Sequence, residues 1–141
     1  SQPIVIIPIL RAGLGLVEGF IKFLPNAEKG HIGLYRDEQT YKPVEYLFKL
    51  PKIKKQLFIV LDPMLATGNS SLEAVNLIVK SGVKISNLML VSLLCAPEGI
   101  KTIEKKYPKL RIFTTSVDKG LDNNKFIVPG LGDAGDRYMG T

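Results

Sequence analysis

The apolar positions of the chain follow two different periods. Ile4 to Leu10, Gln56 to Leu61 and Leu88 to Cys95 are near-continuous apolar runs with almost no charge. Runs of this kind are strands buried on both faces. Between them the spacing lengthens. Leu14 to Leu24 has apolar residues at 14, 16, 17, 20, 21, 23 and 24, as a helix packed on a sheet would, and Pro25 stops it. Residues 71–80 place apolar side chains at 72, 75, 78 and 79 and predict a second helix. Ser70 and Glu73 stand at capping-box spacing at its start, and Gly82 stands where a left-handed residue closes a helix. Pro97 to Tyr107 predicts a third helix, with proline in the first turn, where its missing N–H costs least. Leu110 to Ser116 and Phe126 to Val128 predict two more strands. His31 to Arg36 and Val44 to Leu50 are strand-like as well, and the polar stretch 37–43 joins them as a hairpin. From Pro129 to Arg137 the chain is rich in Gly and Asp and predicts a loop.

Apolar strands alternating with helices predict an α/β fold, a mostly parallel sheet flanked by helices on both faces. A length of 141 residues suits a single domain, 1–141, and no repeat, low-complexity tract or linker divides it. Composition changes this picture little. Hydrophobic residues make up 45% and charged residues 23%, ordinary values for a globular chain. A single cysteine, Cys95, excludes an internal disulfide and fits a reducing compartment. No apolar run approaches the roughly 20 residues of a membrane helix. No basic start followed by a short apolar core marks a signal peptide. The net charge of +6 is partly carried by Lys52, Lys54 and Lys55 and by Lys101, Lys105, Lys106 and Lys109. These lysines lack interleaved aromatics, so they read as solvated loops and helix faces rather than a nucleic-acid stripe.

The chemistry concentrates in residues 62–71, Asp-Pro-Met-Leu-Ala-Thr-Gly-Asn-Ser-Ser. A buried strand ends in the carboxylate of Asp62, and a loop of small residues leads into a helix. In open α/β sheets ligands bind at the carboxyl ends of strands. Small residues let backbone N–H groups approach a ligand, and a helix N-terminus adds unpaired donors and partial positive charge. Thr67, Ser70 and Ser71 add hydroxyls. The pattern is a phosphate cradle beside an acid, suited to a phosphorylated sugar; a plain strand-to-helix turn with a serine cap is the competing reading. The Walker pattern is absent. Gly13-Leu14-Gly15 opens a dinucleotide fingerprint, but Glu18 stands in place of its third glycine.

The segment "DPMLATGNSS" resembles the phosphoribosyl-diphosphate loop of uracil phosphoribosyltransferases. The resemblance continues through "PILRAGLG" (8–15), "GHIGLYRDE" (30–38), "KPVEY" (42–46), "APEG" (96–99) and "IVPGLGDAGDRYMGT" (127–141), in order and over essentially the whole chain. It implies the type I, Rossmann-like phosphoribosyltransferase fold with a protruding β-hairpin (31–50) as a flap and a base-binding tail (126–141). The family pattern also extends further ahead of Ser1, by roughly the N-terminal third, so the chain is expected to be the remainder of a longer polypeptide.

The resemblance implies transfer of a phosphoribosyl group from 5-phosphoribosyl 1-diphosphate to uracil, giving UMP and diphosphate, with Mg²⁺ as cofactor carried mainly by the diphosphate. It assigns Asp62, Arg36 and Arg11 to catalysis. It assigns Arg11, Arg36, Asp62, Pro63, Met64, Leu65, Ala66, Thr67, Gly68, Asn69, Ser70 and Asp133 to phosphoribosyl diphosphate, and Ile127, Gly132, Asp133 and Ala134 to uracil. It further implies a homo-oligomeric, cytoplasmic enzyme with GTP as a possible effector. Without the resemblance, Arg11 reads as a surface turn residue, Arg36 as a partner of Asp37 or Glu38, and Asp136 as a partner of Arg137. Asn69 departs from the family loop, which has a second glycine there; Asn tolerates left-handed backbone better than most residues. Three other functions remain open on the same scaffold: a pyrimidine-nucleotide-responsive RNA-binding regulator, an enzyme of another base specificity such as a purine enzyme, and an inactive nucleotide-binding fragment. His31 and Cys95 read as structural, and Tyr35, Tyr41 and Tyr46 as packing around the hairpin.

Overall fold

The computed structural model describes residues 1–141. Strand β1 (Ile4–Leu10) leads to helix α1 (Leu14–Phe23), then to β2 (Glu28–Lys29), β3 (His31–Arg36) and β4 (Pro43–Lys49). Strand β5 (Leu57–Leu61) and the short β6 (Met64–Leu65) precede helix α2 (Asn69–Lys80). Then come β7 (Leu88–Cys95), helix α3 (Pro97–Lys106), β8 (Arg111–Val117), β9 (Gly120–Leu121), β10 (Ile127–Val128) and helix α4 (Ala134–Met139).

The main sheet runs β4-β3-β1-β5-β7-β8. β2 pairs with the start of β1, and β6 with the end of β7. Every pairing is parallel except β3 with β4. The alternation of apolar strands and helices thus gives the α/β sheet that the pattern predicts. β9 and β10 form a separate antiparallel pair.

Side chains alternate across the sheet. Val5, Ile7 and Ile9 of β1 join Phe58, Val60, Leu88 and Leu90 in the larger core, under Ala74, Val75 and Ile78 of α2 and Ile103 of α3. Ile6 points the other way, with Ile59 and Leu61, under Leu16, Val17, Phe20 and Ile21 of α1. Helices cover both faces, but unequally: the α1 side fully buries only those three strand residues, and no residue of α1 itself is fully buried. Leu93 and Phe113, on the same side, are exposed.

The hairpin predicted for 31–50 is part of this sheet. Ile32 and Gly33 pair with Ile9 and Leu10, so its base is zipped to β1. Its distal half continues past the end of β1, with Tyr35 opposite Val44 and Arg36 opposite Pro43. His31 lies in β3 opposite Lys49, and Cys95 is buried at the end of β7. The stretch 129–137 departs from the predicted loop. From Ala134 it is helical, because Asp133 caps α4 by accepting a hydrogen bond from the Asp136 amide at 2.8 Å.

The unequal layers set the energetics. Ile78 is fully buried in the larger core, whereas Phe23 is 86% exposed. Ile78→Ala is expected to lower unfolding free energy by about 2–5 kcal/mol. Phe23→Ala should change it by less than about 0.5 kcal/mol. Urea titrations followed by circular dichroism check both.

Candidate active site

Parallel pairing sends the ends of β1, β3, β5 and β7 to one edge of the sheet. Arg11 follows β1, Arg36 closes β3 and Asp62 follows β5. Residues far apart in sequence therefore meet at one rim, outside the carboxyl ends of strands where α/β sheets bind ligands. Gly13 permits the approach of the β1 turn to β5. A Cβ there would lie 2.6 Å from the backbone of both Ile9 and Leu61.

Asp62 is half-buried. Its amide donates to the Val91 carbonyl at 3.0 Å, and the Ser71 hydroxyl donates to its Oδ2 at 2.5 Å. Desolvation pushes its carboxyl from 3.8 up to about 6, against the opposing pull of the Ser71 hydroxyl and the Met64 amide. Ser71 is buried and committed to this carboxylate, so it is not among the free donors of the loop.

The loop after Asp62 is fixed by backbone. Pro63 offers its carbonyl to the amides of Leu93 and Leu94, and Leu65 is wholly buried in the core. Gly68 then turns left-handed, at φ +84°, and packs directly on α3: a Cβ on it would lie 2.7 Å from the Gly99 carbonyl. A Cβ on Gly99 would lie 2.5 Å from the Ala66 carbonyl, so neither glycine accepts a side chain without movement. The capping box predicted from Ser70 and Glu73 does not form. The chain enters α2 earlier, through left-handed Gly68, and no side chain caps the helix. Asn69's amide has only the Thr67 hydroxyl, at 3.3 Å, and the amides of Ser70 and Ser71 have no acceptor in the chain. The first turn of α2 thus presents open donors at its positive end. Ser70 and Asn69 are exposed there.

A cavity of about 420 Å³ opens beside Asp62. Arg36, Met64 and Ala66 line it, with Ile127, Gly132, Asp133 and Ala134 opposite. A second cavity of about 450 Å³ is lined by Thr67 and Asn69, and Arg36 lines it as well. All the residues assigned to uracil therefore line one cavity with Asp62. Pro63, Leu65, Gly68, Ser70 and Arg11 line neither cavity.

Arg11 is held at the rim by Asp136, its Nη2 donating to Oδ1 at 3.0 Å. Asp136 therefore pairs with Arg11 and not with its neighbour Arg137, which donates to the Leu131 carbonyl. Arg36 makes no ion pair with Asp37 or Glu38. Asp37 is occupied by the tip of its own turn: its Oδ1 accepts from the amides of Thr40 and Gln39, which hold its carboxyl below the usual range, Thr40 foremost. Cys95 is buried, and burial pushes its thiol pKa up. Asp118, after β8, anchors the 126–141 segment by accepting from the Gly130 amide at 3.0 Å.

Ala12, Asn123, Asn124, Lys125, Phe126 and Gly135 also border these cavities. Phe126 and Gly135 lie in the tail that the resemblance assigns to the base, whereas Ala12, Asn123, Asn124 and Lys125 are given no role. The available signal was the polar turn Asp122-Asn123-Asn124 set just before an apolar strand, a tight-turn composition beside the segment rich in Gly and Asp.

The architecture is that of phosphoribosyltransferases. The chain superposes on the purine phosphoribosyltransferase of Pyrococcus horikoshii with a TM-score of 0.62 at 20% identity, covering 82% of this chain and 74% of that one. Within that class, the family model described as uracil phosphoribosyltransferase matches residues 1–141, and the chain belongs to this family. It is 52% identical to the uracil phosphoribosyltransferase of Lactococcus lactis subsp. lactis, over all of this chain and 67% of that protein. It matches the structure of the AQ2163 protein from Aquifex aeolicus with a TM-score of 0.87 and 44% identity, covering 95% of this chain and 64% of the other. The chain thus spans about two thirds of the length of such relatives.

The desolvated acid has a measurable signature. Because folding raises its pKa, the protonated form favours the native state, and that contribution is lost as pH rises from 3.8 through about 6. The stability of the native chain relative to Asp62→Asn should fall across this window and level off above it. Urea titrations between pH 4 and 8 test this, and parallel curves for the two proteins would contradict it.

Proposed function

We propose that the chain carries the uracil phosphoribosyltransferase reaction: uracil displaces diphosphate from 5-phosphoribosyl 1-diphosphate to give UMP. The observation that carries this reading is the shared cavity. Asp62, Arg36, Ile127 and residues 132–134 line one space, beside a loop whose helix amides have no partner, in a member of this family.

In this reading the phosphate occupies the open amides around Thr67 to Ser70, and Asp62 meets the ribose hydroxyls. A carboxyl poised near pH 6 is ionised in neutral solution, and its raised free energy as an anion favours contact with donors or positive charge. Arg36 faces the departing diphosphate with a permanently charged, planar set of donors. Stabilising negative charge as it builds on that group lowers the barrier directly. Arg11 joins it by exchanging the Asp136 carboxylate for a diphosphate oxygen, one anion for another. Uracil presents O2, N3–H and O4, and main chain around Ile127 and Gly132 to Ala134 reads them. Cytosine inverts the polarity at N3 and N4, which would leave buried groups unpaired. Catalysis is then mainly positioning and electrostatics, with no covalent intermediate.

Mg²⁺ keeps several waters and binds through one or two carboxylates together with substrate phosphates. The carboxylates lining the cavity are Asp62 and Asp133, a donor set that fits an ion carried mainly by the diphosphate, with Asp133 as its protein contact. When bound, the ion neutralises charge on the diphosphate. The same family reading extends to a cytoplasmic homo-oligomer that responds to GTP. No helix is long and apolar enough to cross a membrane. Light scattering with and without GTP measures the assembly.

Uracil-dependent diphosphate release is expected, with cytosine and hypoxanthine inert. Asp62→Ala should reduce it by at least about a hundredfold. Release with no base, or equally with all, would contradict the assignment. The hairpin tip is proposed as a flap that excludes water from the activated sugar. Deleting residues 38–43 should then raise diphosphate release in the absence of uracil, and an unchanged background rate would refute the flap.

A further inference from the structure

Only two non-glycine residues in the chain adopt left-handed backbone, Tyr41 at φ 57° and Lys125 at φ 66°. Both line the second cavity. Such conformations are costly for side-chain-bearing residues and cluster at ligand sites. At Lys125 the turn is imposed by a neighbour. Asp122 Oδ1 accepts from the amides of Asn124 and Phe126 at 2.8 and 3.0 Å, and the Asp122 carbonyl accepts from the Lys125 amide at 3.1 Å. The lysine side chain contributes nothing to this turn, is exposed, and stands where glycine would be unstrained.

The second cavity has a definite charge. Arg36 and Lys125 are its only charged lining residues, and both also line the cavity that holds Asp62. Neither cation is paired, since the sole ion pair within 4.0 Å in the chain is Arg11 with Asp136. The remaining lining is polar, from Tyr41, Thr67, Asn69 and two asparagines. On the side of the second cavity, away from Asp62 and Asp133 of the first, two free cations share a lining without a carboxylate with Thr67 and Asn69 at the open start of α2, a setting that selects an anion.

We propose that Lys125 is a substrate-binding residue that supplies a further cation, beside those of Arg36 and Arg11, to the phosphoryl oxygens of 5-phosphoribosyl 1-diphosphate, presented by the β9–β10 turn in the cavity it shares with Arg36. This rests on the function proposed above and adds to it the β9–β10 turn as a wall of the phosphate site. The lysine contributes to affinity for the anionic substrate and not to recognition of uracil, which carries no charge.

Calorimetric titration of the chain with phosphoribosyl diphosphate, inorganic diphosphate and ribose 5-phosphate tests it, using Lys125→Met, Lys125→Gly and Lys125→Arg. The Met and Gly variants are expected to bind phosphoribosyl diphosphate about tenfold more weakly, with Arg near the native value and the gap narrowing at high salt. The kinetic loss should appear in KM for phosphoribosyl diphosphate more than in kcat, with KM for uracil unchanged. Lys125→Gly should melt no lower than the native chain, which separates lost binding from lost folding. Whether diphosphate or ribose 5-phosphate shows the weakening identifies which phosphate Lys125 meets, and either supports the proposal. Met and Gly variants that bind phosphoribosyl diphosphate within twofold of a binding-competent native chain would overturn this proposal alone. A native chain that binds none of the three ligands would overturn it together with the proposed function.

Discussion

Five consecutive residue pairs, from Ile4 with Leu57 to Pro8 with Leu61, lock β1 to β5 in parallel. The cavity depends on this register more than on any single side chain. Strand side chains alternate with a period of two, so a slip of one residue would turn Val5, Ile7 and Ile9 out of the larger core and put Ile6 in their place. It would also move Arg11 relative to Asp62 by one strand rise, about 3.3 Å. Hydrophobic burial therefore enforces the position of polar groups that make no hydrophobic contact themselves. The Gly13 contact closes the same joint, since the turn after β1 rests on the Leu61 carbonyl with no room for a methyl group.

On that frame the loop at 62–71 leaves several polar groups incompletely satisfied. Asp62 is desolvated with one short hydrogen bond from Ser71, and the amides at the start of α2 have no partner in the chain. An acid raised to about 6 and uncapped helix donors both cost stability in the free chain. The backbone contact between Gly68 and Gly99 prevents the loop from folding inward to satisfy them. The larger core under α2 and α3 supplies the burial that tolerates this cost.

The apolar runs at 4–10, 56–61 and 88–95 made the parallel sheet legible, because a strand buried on both faces has no polar side to disguise it. Asp62 and the small loop were legible for the related reason that a carboxylate ending such a strand has few structural explanations. Four features were not. The capping box at Ser70 was wrong because left-handed backbone at Gly68 outweighed side-chain capping, and glycine's conformation cannot be read from its letter. Asp136 was matched with adjacent Arg137, whereas its partner lies 125 positions away, a pairing created by topology alone. Helix α4 was missed because Gly and Asp dominate its start, and the Asp133 cap is visible only once the chain has turned at Gly132. The Asn123–Lys125 turn signalled only a tight turn and not a place at the cavity, which it owes to β9 and β10, strands of two residues each.

The 126–141 segment is joined to the rest of the chain in an unusual way. It contributes one buried apolar side chain, Ile127, and its other ties are polar or peripheral: the Asp118 carboxylate on the Gly130 amide, the Arg11–Asp136 pair, and the Tyr138 ring beside Gly15. The wall opposite it, built from strand ends, is continuous with the core. The two sides of the cavity therefore differ in how freely their sequences can diverge. The strand-end wall is constrained through the buried neighbours of its lining residues, among them Ile9, Leu61 and Leu65. The opposite wall is a short, contiguous stretch whose replacement disturbs almost no buried volume. A scaffold divided in this way can keep its strand-end half fixed while the opposite wall is exchanged as a cassette.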